Sequence, residues 1–343
     1  MAFTLGALDQ SPLREGGTAA DALGESVHLA QALEGFGYRH YWVSEHHNTP
    51  GFAGTAPEIL IGQIAARTTS IRVGSAGVML SHYSALKVAE TFRVLAAFHP
   101  GRIDLGVGRA PGGDPLTTRA LAYPKSPNNV ANDYPQQVID LVAYLRGSLE
   151  PGHPFAPIRA QPGPPAADMP EVWLLGSSDY SARLAAALGL PYSFADFFGD
   201  RAAMGPEVTR LYREAFQPSE LLAAPRVNVA IQVFCADSAG DAKRVASSYR
   251  LMRLRRRQGR LGALQPPSVD LPGLDADERE WMERDTAGLI VGDPARVRSE
   301  LDAVAERYGT HELSIVTNCY AFEDRLRSCR LVAQAAGIEP LRP

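Results

Sequence analysis

The short apolar run Ile103-Asp104-Leu105-Gly106-Val107 is followed directly by the polar cluster Gly108-Arg109-Ala110-Pro111-Gly112-Gly113-Asp114. The same pattern recurs in two distant parts of the chain, as His40-Tyr41-Trp42-Val43 before Ser44-Glu45-His46-His47 and as Val172-Trp173-Leu174-Leu175 before Gly176-Ser177-Ser178-Asp179-Tyr180-Ser181. Each run is typical of a buried strand, and each cluster begins where that strand should end. A (β/α)8 barrel builds its active site from such loops, at the carboxyl ends of its strands. The pattern therefore predicts one composite site on a barrel.

Length and composition restrict the class of protein. The chain has 343 residues, of which 45% are hydrophobic and 21% are charged, and this is the balance of an ordinary globular protein. A barrel of about 250 residues with insertions fits this length. The net charge of −4 gives no electrostatic reason to expect nucleic acid or an anionic membrane as a partner.

The alternation of segments predicts a single α/β barrel domain over residues 1–343. Short apolar runs predict strands at 3–8, 38–44, 71–76, 102–107, 172–175, 192–195, 226–235 and 312–317. Amphipathic stretches predict helices at 19–36, 57–68, 85–98, 130–145, 180–188, 202–216, 239–257, 293–308 and 323–336. Two proline-rich stretches interrupt the pattern and are interpreted as insertions, at about 147–170 after strand 4 and about 259–286 after strand 7.

Several other classes of protein are disfavoured. A Rossmann fold would place GxGxxG between a strand and a helix, but residues 106–112 have the third glycine one position late and Pro111 inside the loop. The three cysteines, Cys235, Cys319 and Cys329, show no CxxC spacing, so neither a zinc knuckle nor a disulfide framework is predicted. The first residues lack a signal-peptide pattern, and no apolar run reaches about 18 residues, the length of a membrane span. We therefore expect a soluble, cytoplasmic protein with reduced thiols.

The first two polar clusters contain candidate functional residues, and each has a structural alternative. His46 suits proton transfer, because histidine titrates near neutral pH, or it is a structural histidine bonded to a loop carbonyl. Adjacent strand residues point to opposite faces, so His46 and His47 are not expected to share a metal ion, and no metal site is predicted. Arg109 suits a phosphate, which a guanidinium binds at two points, or it forms a surface salt bridge.

The third cluster suits an anion. Ser177, Ser178 and Ser181 surround the start of a predicted helix, where free N–H groups and hydroxyls bind anions, although serines there also serve as plain helix caps. A phosphate could use Arg109 and this helix terminus together if both lie on one face of the barrel. At the end of the third strand, the small residues of 74–78 would let a flat ring lie against the backbone, or they form a tight turn.

Taken together, these motifs resemble the bacterial luciferase-like flavin monooxygenases over nearly the whole chain. The matching segments are Leu8-Asp9-Gln10-Ser11-Pro12, Trp42-Val43-Ser44-Glu45-His46-His47, Gly74-Ser75-Ala76-Gly77-Val78-Met79-Leu80, Leu86-Lys87-Val88-Ala89-Glu90, Pro100 to Gly112, and Val291-Gly292-Asp293-Pro294. Residues 8–12 and 108–112 are most similar to the single-polypeptide branch of luciferase-like oxidoreductases.

The resemblance implies a (β/α)8 barrel that binds FMN at the carboxyl ends of its strands. In the family, a separate reductase delivers reduced FMN, and O2 adds at flavin C4a to give a peroxide that oxygenates a small organic substrate. His46 would be the catalytic acid or base, and Ala76 and Gly77 would form a cis peptide bond against which the flavin ring packs. The resemblance also implies a homodimer.

The remaining implied residues surround the phosphate and the ring. Arg109, Ser178 and Ser181 would hold the phosphate, and Gly176 and Ser177 would contribute backbone there. Gly108 is a further cofactor-binding candidate, and it stands where the bacterial luciferase α chain has a cysteine, so any role of that thiol does not carry over and light emission is not implied. Two alternatives stay open: hydride transfer with deazaflavin F420, and a flavin-binding protein without turnover.

Overall fold

The computed structural model describes residues 2–109, 113–123, 130–163, 169–199, 202–268, 273–285 and 288–340, and for residues 130–132 it describes the backbone alone. Its strands are β1 (Thr4–Asp9), β2 (His40–Val43), β3 (Arg72–Met79), β4 (Ile103–Gly108), β5 (Glu171–Gly176), β6 (Tyr192–Ala195), β7 (Val227–Cys235), β8 (Leu289–Gly292) and β9 (Glu312–Val316). Its helices are α1 (Ala19–Phe36), α2 (Pro57–Ala65), α3 (Ala85–Phe98), α4 (Pro115–Ala122), α5 (Val130–Arg146), α6 (Asp179–Ala187), α7 (Gly205–Ala215), α8 (Ala239–Arg257), α9 (Ala276–Arg284), α10 (Pro294–Tyr308) and α11 (Phe322–Ala336).

Eight of these strands close into a parallel barrel, as the sequence predicts. The order is β6-β5-β4-β3-β2-β1-β9-β7, and pairing of β6 with β7 closes the ring. Parallel strands require crossover connections, and the helices between them supply these. The (β/α)8 prediction is therefore confirmed, and the predicted composite site lies at the carboxyl ends of the strands.

Three elements depart from the sequence-based prediction. Strand β8 was not predicted, and it pairs only with the last residues of β7, from Gln232 to Cys235, outside the closed ring. Helix α4 was also not predicted, and Asp114 caps it by accepting the backbone N–H groups of Leu116 and Thr117. Helix α9, which lies inside the second proline-rich insertion, was not predicted either.

Both proline-rich stretches lie partly outside the described residues, which omit 164–168, 269–272 and 286–287. The described part of the first stretch, 147–163, has neither helix nor strand. Arg93 of α3 holds it by donating to the carbonyl oxygens of Pro162 and Gly163. The second stretch is held against the loop after β1, because Leu264 donates to the carbonyl of Leu13 and accepts from the N–H of Glu15.

The amino end of the barrel is filled by paired polar groups. Arg226 donates to Glu171 at 2.7 Å and to Glu312 at 2.8 Å, and its guanidinium lies 4.6 Å from the ring centre of Trp173. Arg72 and the indole N–H of Trp42 both donate to Asp104. Of these charged groups only Asp104 is fully buried, and its partners satisfy it; the others lie at the surface of this end of the barrel and join its strands.

The barrel interior also contains His40, and its neighbour Gly6 explains how it fits. A Cβ at Gly6 would lie 1.9 Å from His40 Nε2, so only glycine leaves room for the ring. His40 Nε2 lies 2.8 Å from the Ser314 hydroxyl, which donates to Asn228 Oδ1. Burial, together with the charges of Arg226 and Arg72, lowers the pKa of His40 to about 3, so the ring is neutral.

An apolar layer lies above His40 and forms what we call the floor of the site. Leu8, Phe197, Ala230 and Val316 pack together there, with Ala76 against them. These residues come from separate strands or their ends, and each points inward because side chains alternate along a strand. The floor separates the polar amino end of the barrel from its mouth.

A buried ion pair lies on the outer side of β1. Asp9 accepts from Arg325 of α11 and from the hydroxyl of Tyr41, and Arg325 also donates to the carbonyl of Thr317. Burial alone raises the pKa of Asp9, but the charge of Arg325 and the hydrogen bonds outweigh it, so that pKa lies below its usual value. This pair anchors the last helix to the first strand.

Among the described residues, no helix is both long and apolar enough to cross a membrane.

Candidate active site

His46 lies at the mouth of the barrel, where the loop after β2 holds it on two sides. Its backbone N–H donates to the carbonyl of Gly54, and its Nδ1 lies 3.1 Å from the Ser44 hydroxyl. The imidazole also packs on Phe52, with ring centres 4.6 Å apart. A ring fixed in this way can present its other nitrogen, Nε2, to a bound molecule.

Burial sets the charge of His46. It lowers the pKa of the imidazole to about 4, and the nearby positive charges of Arg256 and His47 act in the same direction. At neutral pH the side chain is therefore an uncharged imidazole, which accepts a proton at one nitrogen and donates from the other.

We expect the His46 imidazole to protonate near pH 4 rather than near 6.5. Because the folded pKa lies below the usual 6.5, the stability that this neutral ring contributes is present above pH 6.5 and is lost as the pH falls toward 4. NMR titration of the imidazole protons measures this directly, with the resonance assigned by its loss in His46→Asn. A midpoint at or above 6 would contradict the prediction.

His47 lies in the loop after β2 and has its own polar partner. Its Nε2 lies 2.7 Å from Glu45, whose carboxylate also accepts the backbone N–H of Met79 at 3.0 Å and the hydroxyl of Tyr83 at 2.6 Å. Glu45 is 2% exposed and joins the end of β2 to the end of β3. Sequence reasoning missed this role, because the cluster Ser44-Glu45-His46-His47 does not reveal which side chain turns inward.

Among the described residues, no group of three or more histidine, cysteine, aspartate or glutamate side chains is placed to hold a metal ion.

The Ala76–Gly77 peptide bond is cis, which confirms that part of the resemblance. It lies in β3 beside β4, at a point where the register of the two strands shifts. A Cβ at Gly77 would lie 2.7 Å from the carbonyl oxygen of Gly106, and a Cβ at Gly106 would lie 2.2 Å from that of Ser75. Glycine is therefore required at both positions, because β3 and β4 approach each other too closely there for a side chain.

Arg109 and the amino end of α6 lie together. The sequence analysis required this proximity for one phosphate to use both. The Arg109 guanidinium lies over the ring of Tyr180, 4.1 Å from its centre, and Tyr180 is the second residue of α6. Ser178 is the N-cap residue, but its side chain makes no capping hydrogen bond. A helix start that lacks a side-chain cap attracts anions, and the adjacent guanidinium strengthens this attraction.

The other predicted residues contribute in different ways. The Ser181 hydroxyl donates to the carbonyl of Ser178 at 3.1 Å and is buried, so it is turned into its own helix. A Cβ at Gly176 would lie 2.0 Å from Ser181 Oγ, so glycine there allows this packing. Ser177 is half-buried in the same loop. A Cβ at Gly108 would meet nothing within 4 Å, so the mouth is open beside β4.

Sequence reasoning also missed three amide side chains in the barrel interior, those of Gln10, Gln232 and Asn318. They lie in or just after strands that are far apart in the chain, and although Gln10 belongs to the matching segment of residues 8–12, the three together form no local motif. Their amide side chains were the one clue in the sequence. An amide that is buried needs hydrogen-bond partners for both its donor and its acceptor.

Comparison with known proteins identifies the family. A family model described as luciferase-like monooxygenase matches residues 1–311. The chain belongs to the luciferase-like monooxygenase family. It is 44% identical to the uncharacterised Bacillus subtilis protein YwcH over 340 residues, which span 97% of this chain and 98% of that protein.

Two further relatives of this luciferase-like monooxygenase carry more specific names. The N-acetyl-S-alkylcysteine monooxygenase of Bacillus subtilis is 35% identical over 335 residues, which span 96% of this chain and 97% of that protein. The crystal structure of apo-MsnO8 superposes with a TM-score of 0.89 at 40% identity, covering 99% of this chain and 100% of that one.

More distant structures share the fold alone. One is the oxygenating constituent of 3,6-diketocamphane monooxygenase from Pseudomonas putida in complex with FMN, at 19% identity and a TM-score of 0.69 over the full length of both chains. Another is an F420-dependent secondary alcohol dehydrogenase, at 14% identity and a TM-score of 0.67, covering 98% of this chain and 99% of that one. One of these two proteins with the same barrel fold binds FMN and the other binds F420.

Proposed function

We propose that the protein is an FMN-dependent monooxygenase that oxygenates a small organic substrate. It would take reduced FMN from a separate reductase, use O2 by the C4a route that the resemblance implies, and act as a homodimer in the cytoplasm. The observation that carries the proposal is the stacking of Arg109 on Tyr180, which places a fixed positive charge at the start of α6. A flavin phosphate needs such a site.

The surrounding residues fit the rest of the cofactor. Gly108 leaves open space beside β4, next to the cis bond of Ala76 and Gly77 in β3, and a flat ring would lie there. Reduced flavin would supply the electrons that activate O2. His46 would then hold or move a proton at its Nε2, because its ring is neutral and fixed by Ser44 and Phe52.

Binding of F420 is the alternative, and the likeness to an F420 enzyme concerns the fold alone. Deazaflavin transfers hydride and does not activate O2, so the identity of the cofactor separates the two functions. Anaerobic titration of the purified protein with reduced FMN and, separately, with reduced F420 measures the preference. An oxygen pulse after each titration then reveals any transient absorbance band that is neither reduced nor oxidised flavin.

Tight binding of reduced FMN with an oxygen-dependent transient band is the expected result. Preference for F420 without such a band would replace oxygenation with hydride transfer. FMN binding without any reaction on addition of O2 would leave a flavin-binding protein without turnover.

Replacing Arg109 with alanine should weaken FMN by about 10- to 150-fold, because a hydrogen bond to a charged group contributes about 1.5–3 kcal/mol. Riboflavin, which lacks the phosphate, should lose less than about threefold in affinity, since its contacts with the ring are unchanged. Flavin fluorescence quenching measures both affinities. The matched control is Arg210→Ala, which removes the same charge from the exposed face of α7. Equal losses for FMN and riboflavin would disprove the assignment of the phosphate site.

A further inference from the structure

Three amide side chains form one group at the mouth of the barrel, and we call it the amide layer. Gln10 follows β1, Gln232 lies in β7, and Asn318 follows β9. Asn318 Nδ2 donates to Gln10 Oε1 at 2.6 Å, although the two residues are 308 positions apart. Strands β7, β9 and β1 are consecutive in the barrel, so the layer covers one continuous arc of its wall.

The amide layer lies directly above the apolar floor. Gln232 is paired in register with Val316, and Val316 belongs to the floor. Gln10, Gln232 and Asn318 each lie two positions beyond a floor residue, namely Leu8, Ala230 and Val316. Because side chains alternate along a strand, residues two apart point to the same face. The layer therefore faces the interior of the barrel, one step closer to the mouth than the floor.

The amide layer has unused hydrogen-bonding groups. Gln232 and Asn318 are both 0% exposed. Within the part of the chain that the structure describes, neither Oε1 nor Nε2 of Gln232 has a hydrogen-bond partner, and Asn318 Oδ1 has none. Leaving a buried amide unpaired disfavours folding, so a pair of such residues at a binding site calls for a ligand that satisfies them.

The charges around the amide layer favour a neutral ligand group. The nearest buried charges on this arc, Asp9 and Arg325, lie behind β1 and neutralise each other. Arg256 faces the side of the mouth that holds His46, where it acts on the pKa of that ring. A charged group placed against Gln232 would be buried without a counter-ion, which is strongly unfavourable.

Gln232 presents its donor and its acceptor in one plane, and an amide presents the complementary pair. A carboxamide or N-acyl group can therefore form two hydrogen bonds with Gln232 at once. A ketone or an ester can use only the donor, which leaves Gln232 Oε1 unpaired. Asn318 Oδ1 offers a further acceptor for a second N–H.

We propose that the amide layer binds the neutral amide group of the substrate, a carboxamide or an N-acyl group. The inference rests on the proposed function and adds the class of substrate to it. The order of the strands places β9 opposite β4 and β1 opposite β5 in the ring of eight. Arg109 and α6 lie at the ends of β4 and β5, so the substrate amide and the flavin phosphate would bind at opposite sides of the mouth.

The variant Gln232→Met tests whether the amide serves a ligand or the fold. Methionine has a similar length and no hydrogen-bonding amide, so it removes two unpaired buried groups. If the amide serves a ligand, the melting temperature of the free protein should rise by about 2 °C. The contrasting control is Asn228→Leu, which removes a buried amide that accepts from Ser193 and Ser314 and should lower the melting temperature. A fall for Gln232→Met as well would overturn the proposal.

Binding to flavin-free protein tests the ligand class. The probes are two matched pairs, benzamide with acetophenone and phenylacetamide with phenylacetone, and NMR titration gives their dissociation constants. We expect wild type to prefer each amide by about tenfold or more, because a buried acceptor is left unpaired by the ketone. Gln232→Met should abolish the preference and change FMN affinity less than twofold.

Three results would overturn the proposal: equal affinity of wild type for amides and ketones, an unchanged preference in Gln232→Met, or failure of every probe to bind wild type at millimolar concentration. A larger loss of FMN than of the amide probes would assign Gln232 to the cofactor and would also overturn it. Since the probes are measured without flavin, failure of reduced FMN to bind would reject the proposed function while leaving the amide preference readable.

Discussion

Replacing His46 with asparagine is expected to lower substrate turnover by about 10²- to 10⁴-fold, the range that a positioned proton-transfer group contributes. Asparagine keeps a polar side chain of similar size but cannot exchange a proton at neutral pH. FMN affinity should change less than about threefold, because the residues placed to hold the phosphate, Arg109 and the start of α6, follow other strands, β4 and β5. Steady-state rates and flavin titration measure the two effects.

The control for this variant is His311→Asn. His311 packs on Phe3 just before β9, at the amino end of the barrel, with ring centres 5.4 Å apart. The His311→Asn variant should retain its turnover, because residue 311 lies at the opposite end of the barrel from the mouth. Turnover within tenfold of wild type in His46→Asn would make His46 a structural residue. Loss of both FMN binding and turnover in His46→Asn would mean that His46 supports the flavin ring.

Replacing Arg325 with methionine is expected to lower the free energy of unfolding by about 3–5 kcal/mol, because it leaves the buried carboxylate of Asp9 without its counter-ion. Asp9 is 1% exposed and Arg325 is 3% exposed, so water cannot compensate. The double variant Asp9→Asn with Arg325→Met should recover much of this loss, since it removes both charges. Urea unfolding followed by circular dichroism measures each free energy.

A surface pair provides the matched control for this ion pair. Arg298 and Asp302 lie one helical turn apart on α10 and are about half exposed. Breaking that pair with Arg298→Ala should change stability by about 0.2–1 kcal/mol, since exposed pairs contribute little. Equal losses in the two arginine variants would mean that the Asp9–Arg325 pair is no more important than a surface contact.

The sequence predicted the features that repeat along the chain. Short apolar runs located the eight barrel strands, and the polar clusters after them located the mouth, since both are local patterns. The resemblance supplied the Ala76–Gly77 cis bond. The joint placement of Arg109 and the start of α6 followed from their positions after neighbouring strands, because parallel strands end at the same edge.

The rest depended on contacts that no local pattern encodes. Strand β8 has four residues and exists because the end of β7 offers it free hydrogen-bonding groups. Helix α9 is stabilised by the capping box of Asp275 and Glu278 inside an insertion for which no helix was predicted. The amide layer joins residues 308 positions apart, so its existence follows only from the register of the closed barrel.

Side chains fill the amino end of the barrel, so the mouth at the carboxyl ends of the strands gives access to its interior. Beneath the floor, the described part of the chain fills the barrel with two groups of side chains, Arg226 with its two glutamates and Asp104 with Arg72 and Trp42. Substrate, product and cofactor must therefore all enter and leave at the carboxyl ends of the strands.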